Sequence, residues 1–224
     1  FYVMDEAGNF DYCTTTIIIQ NNMLSCSRRA ISGEIMDQQG QPIEEVGIEV
    51  VSTDANLSLM SDGNGGFEFT MPEGADYTIR PIKNNEPLNG VSTFDLVLIS
   101  QHMWGKNKVD SPDKYVAADV NKSGTITAFD LVQLRQLILN IIKELPNNTS
   151  WRFVDMDYEF PTEERGMQLA STQEEKTIRD LSGDRLGMDF LGVKIGDING
   201  SAVPNRSAWA GGRNKTATFS LSVE

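Results

Sequence analysis

The chain repeats itself once, and that repeat constrains the fold more than any other feature. Residues 119–130 read DVNKSGTITAFD, and residues 84–95 read NNEPLNGVSTFD. Aligning Asp95 with Asp130 sets VSTFDLVLIS against ITAFDLVQLR at an offset of 35 residues. After each stretch the apolar residues take helical spacing: Leu96, Ile99 and Met103 in the first, then Leu131, Leu134, Leu137, Ile138 and Ile141/Ile142 in the second. The repeat therefore predicts two loop–helix units.

The second loop has the chemistry of a calcium site. Calcium takes six to eight oxygens, and a twelve-residue loop supplies them from alternate positions as it curls around the ion. Asp119 stands at position 1, Asn121 at 3, Ser123 at 5, the Thr125 carbonyl at 7 and Asp130 at 12. Gly124 sits at the sharp turn. Thr127 is placed to cap the following helix or to hold a ligating water. Asp130 falls in the first helical turn, where a carboxylate also complements the helix dipole. Serine at position 5 leaves two formal negative charges, which argues against magnesium-tight binding. The plainer alternative is an Asn/Gly turn followed by a capped helix.

The first loop keeps only the exit half: Gly90, Ser92 and Asp95. Asn84, Glu86 and Leu88 stand where Asp119, Asn121 and Ser123 stand in the second. Far downstream the chain reads GDINGSA, with Asp197, Asn199 and Ser201 at 1-3-5 spacing and no exit half behind them. These halves suggest a split site, in which Asp197, Asn199 and Ser201 meet Gly90 and Asp95, with Glu86 or Asn89 assisting. The alternative reading of GDING is a Gly-flanked turn.

A calcium loop ending in Asp, followed by FDLVxLRxLIL and repeated, resembles a type I dockerin over about 84–143. The resemblance implies paired loop–helix units, two calcium ions and a cohesin-like partner bound through helix-face residues; an exposed apolar patch on the faces bearing Leu98/Ile99 and Leu134/Leu137 would favour that contact, and burial of both would count against it. The chain departs from that family in its incomplete first loop, in the long insertion after the helices and in the position of the unit within the sequence.

Upstream, ISGEIMD, EVGIEVVST, GGFEFTM and DYTIRPI alternate apolar and polar residues, the period of half-buried strands. Turn clusters such as Ser61-Asp62-Gly63-Asn64-Gly65-Gly66 separate them. The order of these motifs resembles the carboxypeptidase regulatory-like domain, a non-catalytic transthyretin-like β-sandwich. Residues 1–22 carry VMDEAGN before a β-branched run, Thr14 to Ile19, and resemble the end of a hyalin-repeat or immunoglobulin-like domain. The whole arrangement resembles large secreted surface proteins of Bacteroidetes-type bacteria.

The expected fold is multidomain, β then α+β. A terminal hairpin spans 1–24 and a small antiparallel sandwich 29–83. A dockerin-like calcium domain spans 84–202 with an insertion at 144–190, and 203–224 form a linker and strand. Within the insertion, the aromatic alternation of Trp151 and Phe153 and the run DFLGVKI read as strands. TATFSLSV near the C-terminal end reads as the edge of another β domain. The chain reads as a fragment of a longer, processed polypeptide.

A net charge of −13 without a basic stripe argues against nucleic acid. No segment reaches the ~20 apolar residues of a spanning helix. With one histidine, His102, and two cysteines, no histidine-based zinc centre can be assembled. Cys13 and Cys26 can pair with each other, pair outside this sequence or stay free; an extracellular setting favours a disulfide. Asp155, Asp157 and Glu159 read as an acidic strand edge rather than a glycosidase pair, and Trp104 and Trp151 as core rather than a carbohydrate platform.

These features point to a non-catalytic, calcium-stabilised module of a secreted or cell-surface protein, serving adhesion, scaffolding or filament building. Its partners are other proteins or neighbouring copies of itself, bound by a cohesin-type contact or by insertion of strands 13–20 and 216–223. Chelation is expected to lower the melting temperature of 84–202 and leave 29–83 little changed.

Overall fold

The structure, a computed structural model, describes residues 2–4, 6–7, 10–12, 27–53, 56–158 and 173–205. A two-stranded antiparallel ribbon comes first, β1 (Tyr2–Met4) against β2 (Phe10–Tyr12), with Val3 opposite Asp11. The expected disulfide cysteines and the expected strands at 13–20 and 216–223 lie outside the described residues.

Five strands follow: β3 (Arg28–Asp37), β4 (Gly47–Val51), β5 (Asn56–Met60), β6 (Gly66–Pro72) and β7 (Tyr77–Ile82). Their period of two puts Ile31 and Ile35, Ile48 and Val50, Phe67, Phe69 and Met71, and Tyr77 and Ile79 into one core. The sequence reading missed β5. Its residues NLSLM are nearly all exposed and include Asn and Ser, so it lacks the half-buried signature of the others.

The chain then leaves the sheets for three helices: α1 (Thr93–Met103), α2 (Pro112–Ala118) and α3 (Ala128–Ile138). It returns as β8 (Trp151–Asp155), β9 (Lys176–Ile178) and β10 (Phe190–Lys194). The returning strands do not form a sheet of their own. One sheet runs β6-β3-β10-β8 and the other β5-β4-β7-β9. β10 lies parallel to β3, with Phe190 beside Ile35, and antiparallel to β8. β9 extends β7, with Thr177 opposite Thr78. The strands expected in two regions, 29–83 and 84–202, thus share both sheets of one sandwich, and the helices form an excursion between β7 and β8.

β10 joins the two halves because both of its faces are covered. Phe190 belongs to the sandwich core, together with Trp151 and Phe153 of β8. Val193 belongs to a second core with Ile99, Val116, Leu134, Leu137, Ile195 and Ile198. Gly192 has no side chain where Ile43 fills the space, since a Cβ there would meet the Ile43 Cδ1 at 2.3 Å. The faces bearing Leu98/Ile99 and Leu134/Leu137, weighed above as a partner-binding surface, are turned into this second core. Ile99 and Leu134 are fully buried, and Leu98 is partly so. They pack into the second core, and their burial counts against a cohesin-like partner bound through these faces.

Candidate metal centre

The two helices start alike. Thr127 is the N-cap of α3 and Ser92 the N-cap of α1, and each forms a capping box with the aspartate three residues on. Asp130 Oδ2 accepts from the Thr127 amide at 2.7 Å, and Asp95 Oδ2 from the Ser92 amide at 2.8 Å. The other oxygen of each carboxylate faces the loop entrance. Asp130 Oδ1 accepts from the Asn121 amide at 3.0 Å. Asp95 Oδ1 accepts from the Ile198 amide at 2.9 Å, across 103 residues of sequence.

Loop 119–130 is knitted around its own oxygens. Asp119 Oδ1 and Asn121 Oδ1 both accept from the Ser123 amide at 2.9 Å, and Asp119 Oδ2 accepts from the Gly124 amide at 2.9 Å. The Ser123 hydroxyl donates to the Thr125 carbonyl at 3.1 Å. These contacts bring Asp119, Asn121, Ser123, the Thr125 carbonyl and Asp130 into one concavity.

The downstream segment reproduces that pattern. Asp197 Oδ1 and Asn199 Oδ1 both accept from the Ser201 amide at 3.1 Å, and Asp197 Oδ2 accepts from the Ala202 amide at 2.7 Å. The Ser201 hydroxyl donates to the Gly90 carbonyl at 2.9 Å. Asp197, Asn199, Ser201, the Gly90 carbonyl and Asp95 therefore occupy the roles of positions 1, 3, 5, 7 and 12. Lys122 (φ 57°) and Gly200 (φ 68°) take the same left-handed backbone at position 4.

Asn89, read above as a helper, does a different job. Its amide group donates to the Val203 carbonyl at 2.7 Å and accepts from the Val203 amide at 3.1 Å, so it fastens the returning chain. Sequence reasoning missed Asn148, whose Nδ2 donates to the carbonyls of Asp119 and Val120 at 3.1 Å and holds the start of the second loop. Nothing in the sequence singles it out beyond a glycosylation-type triplet.

Asp95, Asp119, Asp130 and Asp197 are all buried, at 2% exposure or less. Among the described residues none of the four is ion-paired with Lys or Arg. Burial pushes the Asp119 carboxyl above its usual range, and the nearby Asp130 charge adds to the push. Burial does the same to Asp197, with Asp95 adding to it. Arg152 acts on Asp119 and Lys194 on Asp197 only from beyond ion-pair distance, so two facing carboxylates held dry remain costly, and a divalent cation among the neutral oxygens would relieve that cost. Among the described residues no three His, Cys, Asp or Glu side chains gather as a metal cluster. Each concavity has two carboxylates with Asn, Ser and carbonyl oxygens, a hard donor set that fits calcium.

The remaining sequence candidates have structural roles. His102 Nδ1 accepts from the Val109 amide at 3.0 Å, and its ring meets Tyr115 edge-on. Asp155 and Asp157 both pair with Lys176. Trp151 is buried in the sandwich core, but Trp104, expected in the core as well, is exposed, because it caps the end of α1 and leaves the packed face there.

Residues 89–157 match the family model of the dockerin type I domain. Dockerin domains bind calcium and act as calcium-dependent protein-interaction modules. Asp197, Asn199 and Ser201 lie beyond the matched span. No curated protein matches the chain. Among solved structures it is similar to the crystal structure of the C-terminal fragment of the pilus adhesin SpaC from Lactobacillus rhamnosus GG, at 15% identity and a TM-score of 0.24. That likeness covers 25% of this chain and 23% of the other, too slight a match to show a shared fold. Among the described residues no helix is long and apolar enough to cross a membrane.

Proposed function

We propose that this chain is a non-catalytic, extracellular protein-interaction module that two calcium ions hold in its binding shape. One ion is held by Asp119, Asn121, Ser123, the Thr125 carbonyl and Asp130. The other is held by Asp197, Asn199, Ser201, the Gly90 carbonyl and Asp95, and it pins the returning chain to the start of α1. The matching hydrogen-bond patterns of the two loops carry this reading. Calcium here supplies only charge and coordination, and its binding free energy becomes folding free energy.

The partner surface in this reading is the outer face of α1 and α3. The 35-residue offset pairs Phe94 with Phe129, Val97 with Val132 and Trp104 with Leu139, and all six are exposed. Phe129 is 76% exposed and Phe94 54%, unusual for such side chains on a folded surface. A cohesin-like partner is the occupant that the dockerin match supports. The sandwich that β3–β7 share with β8, β9 and β10 serves as the spacer that carries the helices.

Calcium titration calorimetry of the parent and of Asp197→Ala tests the two-ion reading. The expected result is two ions per chain in the parent and one in the variant. An unchanged stoichiometry would contradict the split site, and absence of binding in the parent would contradict the whole reading.

A further inference from the structure

Loop 119–130 has a fixed positive charge built in behind it. Arg152 of β8 stands opposite Val193 of β10, and the next rung of the same ladder pairs Trp151 with Lys194. Arg152 and Lys194 are both buried. Their two cations thus sit side by side in the sheet that carries the helical excursion. Arg152 Nε donates to Glu174 Oε1. The other oxygen of that carboxylate, Oε2, accepts from Lys122 Nζ at 2.9 Å. Lys122 is position 4 of the loop, between the ligands Asn121 and Ser123. One carboxylate therefore separates Arg152 from the loop and is shared between two cations.

The two cations of this triad differ in reach. The Lys122 side chain is 35% exposed and that of Arg152 only 2%. Water screens the lysine, whereas the field of the buried guanidinium persists over a longer distance. Its effect is felt at position 1 of the loop. Burial raises the Asp119 carboxyl, and the Gly124 and Ser123 amides and the Arg152 charge pull it back. The spacing is held by Asn148, just upstream of Arg152, whose Nδ2 donates to the Asp119 and Val120 carbonyls at 3.1 Å. Arg152 is thus fixed close enough to act on Asp119 and too far away to pair with it.

A cation in that place has two opposite effects. In the ion-free chain it steadies the facing carboxylates of Asp119 and Asp130. Against a loop that holds calcium it repels the ion, and poorly screened like charges cost affinity. We propose that Arg152 is a resident counter-charge that lowers the calcium affinity of loop 119–130 below what its oxygens alone would give, with Glu174 as the shield that limits the loss. The inference rests on the calcium reading of that loop. It makes the affinity of the loop a property of the sandwich, because Arg152 lies in β8 and Glu174 just before β9. It also places the loop toward the weak end of calcium affinities, where an ion exchanges readily.

Calcium titration calorimetry on the Asp197→Ala chain reads loop 119–130 by itself. In that background Arg152→Met removes the charge, and the dissociation constant is expected to fall at least about fivefold. Arg152→Lys keeps the charge while losing the fork geometry, and is expected to stay within about twofold of the background. Glu174→Gln removes the shield and is expected to weaken binding about threefold or more. The same shifts are expected at one of the two sites when Asp197 is intact. A residue that merely braced the loop would give the opposite sign, with weaker binding in both Arg152 variants. Unchanged or weaker binding in Arg152→Met, equal constants for the Met and Lys variants, or an unchanged constant in Glu174→Gln would overturn the proposal. If Arg152→Met does not fold, Glu174→Gln and Arg152→Lys decide by the same criteria. A loop that takes up no calcium in the Asp197→Ala chain would sink the calcium reading and the proposal with it, whereas parental affinity in Arg152→Met would sink the proposal alone.

Discussion

The Ser201 hydroxyl donates to the Gly90 carbonyl at 2.9 Å across 111 residues of chain, and the Ser123 hydroxyl donates to the Thr125 carbonyl at 3.1 Å across two. One contact closes a local loop and the other closes most of a domain. The two differ in what the approach demands of position 7. A Cβ on Gly90 would meet the Ala202 nitrogen at 2.5 Å and Asp197 Oδ2 at 2.7 Å, and its φ of +76° favours glycine.

Gly90→Ala should therefore injure the split site and spare the other. Its expected outcome is the loss of one of two calcium ions in a titration, with stability lowered by about 1–3 kcal/mol from strain at a left-handed position. A variant that still takes two ions with parental affinity would show that the segments can part and still ligate.

Chelation should act on the whole sandwich. The sequence alone leads one to expect calcium removal to affect 84–202 and to leave 29–83 nearly untouched. In the structure β10 stands between β3 and β8, and the Asp197 loop begins directly after it. Loosening that loop loosens the strand that joins β3 to β8. An ion at a hundred times its dissociation constant contributes about 2.7 kcal/mol, or roughly 5–10 °C in a chain of this size. Differential scanning calorimetry with and without EDTA should show one transition moving as a unit. A calcium-insensitive transition beside a sensitive one would contradict the shared sandwich.

The sequence shows some of these features more clearly than others. Loop 119–130 is legible because all its ligands lie within twelve residues, and periodicity reveals α3 behind it. GDING could be paired with Asp95 because each half lacked what the other had. The parallel seat of β10 beside β3 is invisible to periodicity, since strand order depends on which faces are left to bury. Phe190 and Val193 point to different cores, so β10 reads as a plain apolar run. α2 was missed for a local reason: seven residues opened by Pro112, with no side-chain cap from Ser111, carry too little pattern to stand out.

The outer helix faces should contribute to binding and not to folding. Phe94→Asp/Phe129→Asp removes two exposed rings, and exposed positions of this kind usually change stability by less than about 0.5 kcal/mol. Against a cohesin-like partner, loss of two aromatic anchors should weaken binding by at least about 2 kcal/mol, some thirtyfold. Leu134→Ala should do the reverse, costing about 2–5 kcal/mol of stability because the side chain is fully buried in the second core. Binding assays paired with urea unfolding separate the two effects. Equal loss of stability in both variants would move the partner surface elsewhere.

Lys194 sets a pH dependence. Burial drives its ammonium down to about 7, against the pull of Asp197 and Glu86. Its Nζ donates to the Pro87 carbonyl at 3.1 Å and the Ser150 carbonyl at 3.2 Å, which ties β10 to the start of the helical excursion and to the residue before β8. Between pH 7 and the ordinary lysine value of 10.5, the unfolded chain holds a proton that the folded chain has released. Stability therefore rises with pH across that window, by at most about 1.4 kcal/mol per pH unit for one proton. Below pH 7 the cost of burying the charge applies in full. Urea unfolding of the calcium-loaded chain at pH 6.5, 8 and 9.5 should show this rise, and Lys194→Met should flatten it. A parent profile already flat over the same range would mean that the lysine keeps its proton on folding, held by the two carbonyls.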